Sequence, residues 1–318
     1  MTSNSSLPAP HRLRVPARLI AAATALFVCA MASAANAQQT FKSADEAASA
    51  LVAAAKAGDR KALITVLGAA GEDIVESGDD VADEGVRKEF VAAYDEKHEV
   101  RTQGDRAILI IGKDDFPFPI PLMHKGDSWL FDTEAGREEV LFRRIGANEL
   151  DTIQVCLAYV DAQNEYADKD RGDGVGVYAQ RVISQPGKKD GLFWPTAAGE
   201  EQSPLGELAA VASGEGYKAR GGGERTPFHG YYYKILTRQG PAAPGGALDY
   251  VVKGKMIGGF ALVAWPAEYG NSGVMTFIVN HNGTVYQKDL GQRTAQVAAG
   301  MSAFNPDNTW KKVDTATQ

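Results

Sequence analysis

The segment Asp168-Lys-Asp170-Arg-Gly-Asp173-Gly174 contains residue types that can bind a hard cation. Calcium loops place alternating carboxylate oxygens around the ion and turn on a glycine. Here one extra residue separates the second aspartate from the third, so the spacing departs from the D-x-D-x-D-G arrangement. We predict Asp168, Asp170 and Asp173 as candidate calcium ligands, with a solvated acidic turn after a helix as the alternative.

Acid–base chemistry would have to come from histidines that are distant from their acids in sequence. His229 or His281 could meet Asp249, Glu268 or Asp289 in space and serve a periplasmic hydrolase. No local motif supports a nucleophile. Ser272 follows Gly270 by two positions, but Val274 stands where a nucleophile elbow has its second glycine. The glycines at 221–223 are not followed by the Lys-Ser or Lys-Thr of a phosphate loop. We therefore assign no catalytic residue and lean away from an enzyme.

The cysteine at position 156 lies in an apolar helical stretch, Ile153 to Leu157. A reactive thiol needs access and a neighbouring base or cation. The pattern favours a small buried hydrophobic residue.

Aromatic residues of the C-terminal half form the most suggestive binding feature. Tyrosine and tryptophan bury large areas while keeping a polar tip, which suits binding surfaces. We predict that a ligand or partner surface includes some of them, with core packing as the alternative. The residues are Phe193, Trp194, Tyr231, Tyr232, Tyr233, Trp265 and Tyr269.

The N-terminal 37 residues have the order of a secretory signal peptide. Arg12, Arg14 and Arg18 precede an apolar run from 19 to 32, and Ala35-Asn36-Ala37 forms an A-x-A cleavage site. The run is short for a membrane span. Lipidation at Cys29 is an alternative, although Val28 suits that processing poorly. We predict cleavage after Ala37 and a periplasmic or secreted protein with no later transmembrane segment.

The charge balance excludes one class of partner. The 318-residue chain has 33 basic and 40 acidic residues. Removing 1–37 takes away three arginines and no acid, which leaves 30 against 40, a net charge of −10. General nucleic-acid binding needs lysine and arginine for phosphate contacts. We therefore expect no nucleic-acid partner, and an envelope protein or cell-wall component instead.

Periodicity predicts an α+β fold. A capping box at Ser43–Glu46 begins a first helix, Asp59 caps a second, and a third covers about 84–97. Short strands then follow, consistent with N-terminal helices on a small antiparallel meander. Residues 134–146 and 148–168 predict two helices, or one kinked at Gly146.

The rest predicts an antiparallel, loop-rich β part with a hairpin turn at His281-Asn282-Gly283. The predicted division is 38–133, 134–292 and a loosely held tail, 293–318. The sequence does not decide whether the first two parts share a core.

Several long stretches carry a family resemblance, among them FPFPIPLMHKGDSWLFDTEAGREE, FHGYYYKILTRQGPAAPGG and GKMIGGFALVAWPAEYGNSGVMTF. Over about 40–292 the chain resembles the bacterial exported proteins grouped as domain of unknown function 2950. That resemblance implies no activity and no catalytic residues.

Two further resemblances concern parts of the chain. The end of the meander, Trp129 to Asp132, looks like the terminal strand of cystatin-like or nuclear-transport-factor-like domains. The order of elements after Asn148 is similar to the heads of pilin-like proteins. The charged stretch Glu134–Arg144 departs from the apolar helix on which pilins polymerise, which argues against a filament subunit. A pilus-associated subunit, based on the likeness of the heads alone, is an alternative to a non-catalytic binding or assembly module.

Overall fold

The computed structural model describes residues 38–197, 199–218 and 226–314. The predicted signal peptide and the glycines at 221–223 lie outside these ranges. The described helices are α1 Ala44–Ala57, α2 Arg60–Leu67, α3 Glu72–Val75, α4 Asp80–Glu96, α5 Thr133–Ala167, α6 Gly206–Glu215 and α7 Thr294–Gly300. Within these ranges none of the helices combines the length and apolar character needed to cross a membrane.

The described strands fall into two groups separated by α5 and α6. The first group is β1 His98–Gln103, β2 Arg106–Ile111, β3 Phe116–Pro117, β4 Leu122–Lys125 and β5 Ser128–Phe131. The second is β6 Tyr231–Leu236, β7 Arg238–Gln239, β8 Leu248–Asp249, β9 Val251–Val252, β10 Lys255–Met256, β11 Ala261–Pro266, β12 Met275–Asn280, β13 Tyr286–Asp289, β14 Ala303–Phe304 and β15 Lys311–Lys312. The predicted mixed α+β class is confirmed.

The first helix begins at the predicted capping box. The Ser43 hydroxyl accepts the Glu46 backbone N–H at 3.1 Å, and the Glu46 carboxylate reaches back to the Lys42 N–H at 2.9 Å. These bonds satisfy backbone donors that the first helical turn leaves without partners. Gly58 ends the helix in the left-handed conformation, at φ 63°. Local sequence therefore fixes both ends of α1.

The N-terminal sheet has the order β1-β2-β4-β5, with β3 also paired to β2. Its neighbouring strands are antiparallel, and β2 contributes the fully buried Leu109. Helices α1 and α2 pack on this sheet around Leu51, Leu63 and Phe131. This arrangement is the predicted layer of helices on a meander.

Helix α5 runs without interruption through Gly146, where we predicted a break or a kink. Nothing lies within 4 Å of the position that a Cβ at Gly146 would take, so no packing partner forces a bend there. At Gly136, in contrast, a Cβ would lie 2.6 Å from the Pro119 carbonyl oxygen, so only glycine allows this approach. The helix contacts β11 and β12 of the second group, and its Arg143 guanidinium lies 4.9 Å from the ring centroid of Phe116 in β3.

The larger C-terminal sheet has the order β15-β13-β12-β11-β6, all antiparallel. Its central strands β11 and β12 are almost wholly buried. The predicted turn at His281–Gly283 is present, with the Gly283 N–H donating to the Asn280 carbonyl at 2.8 Å. This sheet and α5 form a second hydrophobic cluster, separate from the N-terminal clusters.

We predicted a loosely held tail from residue 293 onward. Up to Asp314, the last residue described, the tail is instead packed on the rest of the chain. Strand β15 pairs with β13, β14 pairs in parallel with β7, and Phe304 is fully buried. Lys234 donates from its ammonium to the Ala299 and Met301 carbonyls. The pairing partners are distant in sequence, so local patterns carried no signal for this docking.

Candidate functional site

A cavity of about 590 Å³ lies between α5, β6, α6 and the segment 182–193. Binding pockets for small molecules usually measure about 300–1,000 Å³ and are mainly apolar with a few polar groups. This one has that character. It is lined by Val155, Tyr159, Val182, Ile183, Phe193, Leu205, Leu208, Ala209, Ala212, Ser213, Tyr217, Lys218, Thr226, Pro227, Phe228, Tyr232, Tyr233 and Leu262.

Helix α6 supplies one wall of the cavity. Leu205, Leu208, Ala209 and Ala212 line it, at the 3- and 4-residue spacing that places side chains on one helical face. The helix ends at Gly216, whose N–H reaches the carbonyls of the last turn at φ 107°. We did not predict this helix. The apolar period and the terminal glycine were the signals that could have revealed it.

The opposite wall combines β6 with the segment around Phe193. An isolated bridge joins Ile183 to Phe193, with Ser184 N–H donating to the Phe193 carbonyl at 2.8 Å. Tyr232 packs against Trp265 with ring centroids 5.8 Å apart. The Tyr233 hydroxyl lies 3.3 Å from the Thr152 hydroxyl, and burial raises the pKa of Tyr233 well above its ordinary value. Tyr233 is therefore a neutral hydrogen-bonding group.

The seven predicted aromatic residues separate into three groups. Phe193, Tyr232 and Tyr233 line the cavity. Trp194, Tyr231 and Trp265 are core residues, exposed by 5%, 0% and 2%. Tyr269 is half-buried and donates its hydroxyl to Asp289 at 3.0 Å. The structure thus does not place all seven on one surface.

A groove of about 460 Å³ adjoins the cavity along α5. The two share Val155, Leu208 and Phe228 as lining residues. The groove is more polar, with Asp151, Gln154, Asp161 and His229 among its walls. The cavity and the groove therefore lie side by side, the first mainly apolar and the second with acidic side chains in its wall.

His229 connects three segments beside this groove. Its Nδ1 lies 2.8 Å from the Asp151 carboxylate on α5, and its Nε2 lies 2.9 Å from the Glu215 carboxylate on α6. His229 also has φ +50°, an uncommon conformation for a residue other than glycine.

The backbone of His229 is fixed by the tyrosine at position 217. The His229 N–H donates to the Tyr217 hydroxyl at 3.2 Å, and that hydroxyl donates to Asp79 at 2.8 Å. The Tyr217 ring stacks near the imidazole at 6.0 Å and 25°. These contacts hold the segment before β6 against α6, and so fix a corner of the cavity.

The acids that we matched to the histidines make other contacts. Glu268 accepts from the Asn271 amide, and Asp289 accepts from Tyr269 and from the Gly291 N–H. Asp249 lies in β8 as an exposed residue. The carboxylates beside His229 are instead Asp151 and Glu215, 78 and 14 residues away in sequence. Pairing acids with His229 by sequence alone therefore named the wrong partners.

His281 lies apart from any such carboxylate group. Its ring meets Tyr250 and Phe260 edge-on, and its buried Nδ1 has no hydrogen-bond partner among the described residues. Burial lowers the pKa of His281, an effect that the backbone bond to Phe260 opposes. His281 is thus a packed aromatic side chain that disfavours its charged form.

The predicted calcium loop is closed by its own backbone. One Asp170 carboxylate oxygen accepts the N–H groups of Gly172 and Gly174 at 2.8 and 2.9 Å, and these bonds lower the pKa of Asp170. Asp173 lies 3.6 Å from the Lys255 ammonium. In the described ranges no three His, Cys, Asp or Glu side chains come together as metal ligands. The Asp170 carboxylate therefore stabilises the backbone of the turn. Asp168 belongs to no group of metal ligands among the described residues.

The remaining candidate nucleophile, Cys156, is fully buried. Burial raises the pKa of the Cys156 thiol to about 12. Since the thiolate is the reactive form, this side chain is inert in the folded protein.

Comparison with known proteins places the chain in a family. Residues 38–313 match the family described as protein of unknown function DUF2950, and the chain belongs to that family. Searches of the curated proteins and of the solved structures found no significant match. The resemblances to cystatin-like, nuclear-transport-factor-like and pilin-like folds therefore stay predictions.

Proposed function

We propose that this protein is an exported, non-catalytic binding module of the cell envelope, and that its cavity takes an apolar or amphiphilic small molecule. The cavity carries the proposal. Its size and its aromatic and aliphatic walls suit a ligand that buries apolar surface. Such burial contributes about 25 cal/mol per Å² of apolar area removed from water.

The state of the reactive groups supports a non-catalytic role. Both ring nitrogens of His229 lie within hydrogen-bond distance of carboxylates, Asp151 at 2.8 Å and Glu215 at 2.9 Å. Cys156 and the Nδ1 of His281 are buried. General acid–base catalysis requires a group within hydrogen-bond reach of the substrate and free to exchange a proton.

The N-terminal pattern supports an exported address. Positive charge, an apolar run and an A-x-A site occur in the order of a signal peptide before residue 38. The family match also begins at residue 38.

The test is a fluorescence titration with N-phenyl-1-naphthylamine, an uncharged probe that brightens in apolar surroundings. We expect saturable binding that Ala209→Trp weakens at least about tenfold, because the indole would fill the cavity. Ala210→Trp is the matched control, since Ala210 is exposed on the same helix and does not line the cavity. Absence of saturable binding, or equal loss in both folded variants, would refute the proposal.

A second candidate function, a hydrolase that uses His229, is favoured by the two carboxylates beside that ring. It predicts turnover of an envelope ester, amide or glycoside that His229→Asn abolishes at unchanged stability. Turnover that survives this substitution would remove the candidate.

A further inference from the structure

The chemistry of the ligand follows from how the cavity and the groove are placed; this inference rests on the proposed function. Val155, Leu208 and Phe228 line both spaces, so the two lie side by side, and an amphiphile could seat its apolar chain in the cavity and its polar end in the groove. The polar end of such a molecule would then lie among the groove residues.

The groove is acidic. Asp151 lies about one helical turn before Val155, and Asp161 lies six residues after it, about 9 Å along the axis. Both carboxylates line the groove, and a third, Glu215, lies behind His229. Asp151 and Asp161 therefore place two carboxylates in the wall of the groove.

Basic side chains are fewer among the described residues that line the two spaces. The imidazole of His229 lies between Asp151 and Glu215 and is shared by them. Lys218 lines the apolar cavity and is not among the residues that line the groove. Among the described residues, the titratable side chains that line the groove are two carboxylates, Asp151 and Asp161, and one imidazole, His229. The chain is itself acidic.

We propose that the ligand is a single-chain amphiphile whose polar end is cationic, with its apolar chain in the cavity and its ammonium or guanidinium group beside Asp151 and Asp161. Charge complementarity selects this occupant over a fatty acid, whose carboxylate would meet like charges in the groove. A neutral alcohol of the same chain length would gain the apolar contacts alone.

The test displaces N-phenyl-1-naphthylamine from the protein with three ten-carbon competitors: decylamine, decanol and decanoate. We expect decylamine to bind about tenfold more tightly than decanoate at low salt, and the difference to shrink as salt is raised. Asp161→Asn should weaken decylamine about threefold and leave decanol unchanged, because a partly exposed charge contributes modestly.

Glu138→Gln is the matched control. It removes the same charge from the exposed face of the same helix, 23 residues and about 35 Å before Asp161. Its competitor affinities should equal those of the unmodified protein. Tighter binding of decanoate, or equal effects of the two substitutions, would overturn the cationic assignment while leaving the cavity proposal intact. Failure of decanol and the probe to bind would instead refute the proposed function.

Discussion

The Asp79 carboxylate accepts the backbone N–H of Gly230 at 2.9 Å, across 151 residues of sequence. The same oxygen accepts the Tyr217 hydroxyl, and the other oxygen caps α4 through the N–H groups of Val81 and Ala82. Asp79 is only 1% exposed. One buried carboxylate thus joins the N-terminal helices to the corner of the cavity.

Asp79→Ala should lower the free energy of unfolding by about 3 kcal/mol, since it removes a helix cap and leaves buried donors without partners. Urea denaturation measures the change. Asp80→Ala is the neighbouring control. Its side chain is 84% exposed and paired with Arg60, so the loss should stay below about 1 kcal/mol. Equal losses in the two variants would show that Asp79 has no special role.

His229→Asn should loosen α6 without unfolding the rest of the protein. Asparagine tolerates positive φ, but it cannot bridge Asp151 and Glu215 as the imidazole does. The carboxylates are 50% and 42% exposed, so we expect a local cost of about 1 kcal/mol. Hydrogen exchange should then be about fivefold faster in Ala209–Ala212.

Glu207→Gln provides the comparison for that experiment, since Glu207 is exposed on α6 and is not a partner of His229. Its exchange rates should match those of the unmodified protein. Unchanged α6 exchange in His229→Asn would mean that the two carboxylate contacts do not hold the helix.

His281 should make stability depend on pH in a defined direction. Burial lowers its folded-state pKa below the ordinary value of about 6.5, so the unfolded chain binds a proton more readily. Stability is therefore lost as pH falls through about 6.5 toward the lower folded pKa. His281→Asn should flatten this part of the profile in urea melts at a series of pH values.

Comparing the pH profile of His281→Asn with that of the unmodified protein removes the contribution of other titrating groups. Asp83 is one such group, because burial raises its pKa. His124→Asn is the control, because its side chain is 37% exposed beside Asp105. A profile for His281→Asn that runs parallel to the unmodified protein would contradict the assignment.

Export can be tested at the predicted cleavage site. We expect the protein in the periplasm or medium to begin at Gln38. Ala37→Phe should block processing, since the cleavage site requires small residues at 35 and 37. Asn36→Phe is the control at the tolerant middle position. A cytoplasmic protein that retains residues 1–37 would refute the exported address.

Local structure was predictable where neighbouring residues determine it. Caps at Ser43 and Asp59, the turn at His281–Gly283 and the burial of Cys156 follow from short segments, and all four predictions are confirmed. Each depends on hydrogen bonds or periodicity within a few residues.

The site itself depended on contacts that no local pattern encodes. The alternation at Tyr231–Tyr233 shows that the strand has two faces, but contacts with distant residues decide what each side chain meets. Tyr231 is buried and donates its hydroxyl to the Met275 carbonyl, whereas Tyr232 and Tyr233 line the cavity. The partners of His229 come from α5 and from the unpredicted α6. The docking of β15 on β13 likewise joins distant segments.

The most direct test of the cavity is an NMR measurement of nuclear Overhauser effects between decanol protons and assigned methyl groups. The account predicts transfer to Leu208 and Leu262, which line the cavity. The methyls of Val252 and Ile257, which are 43% and 50% exposed elsewhere, should receive none. Transfer confined to these exposed methyls, or no transfer at saturating decanol, would contradict a ligand-binding cavity.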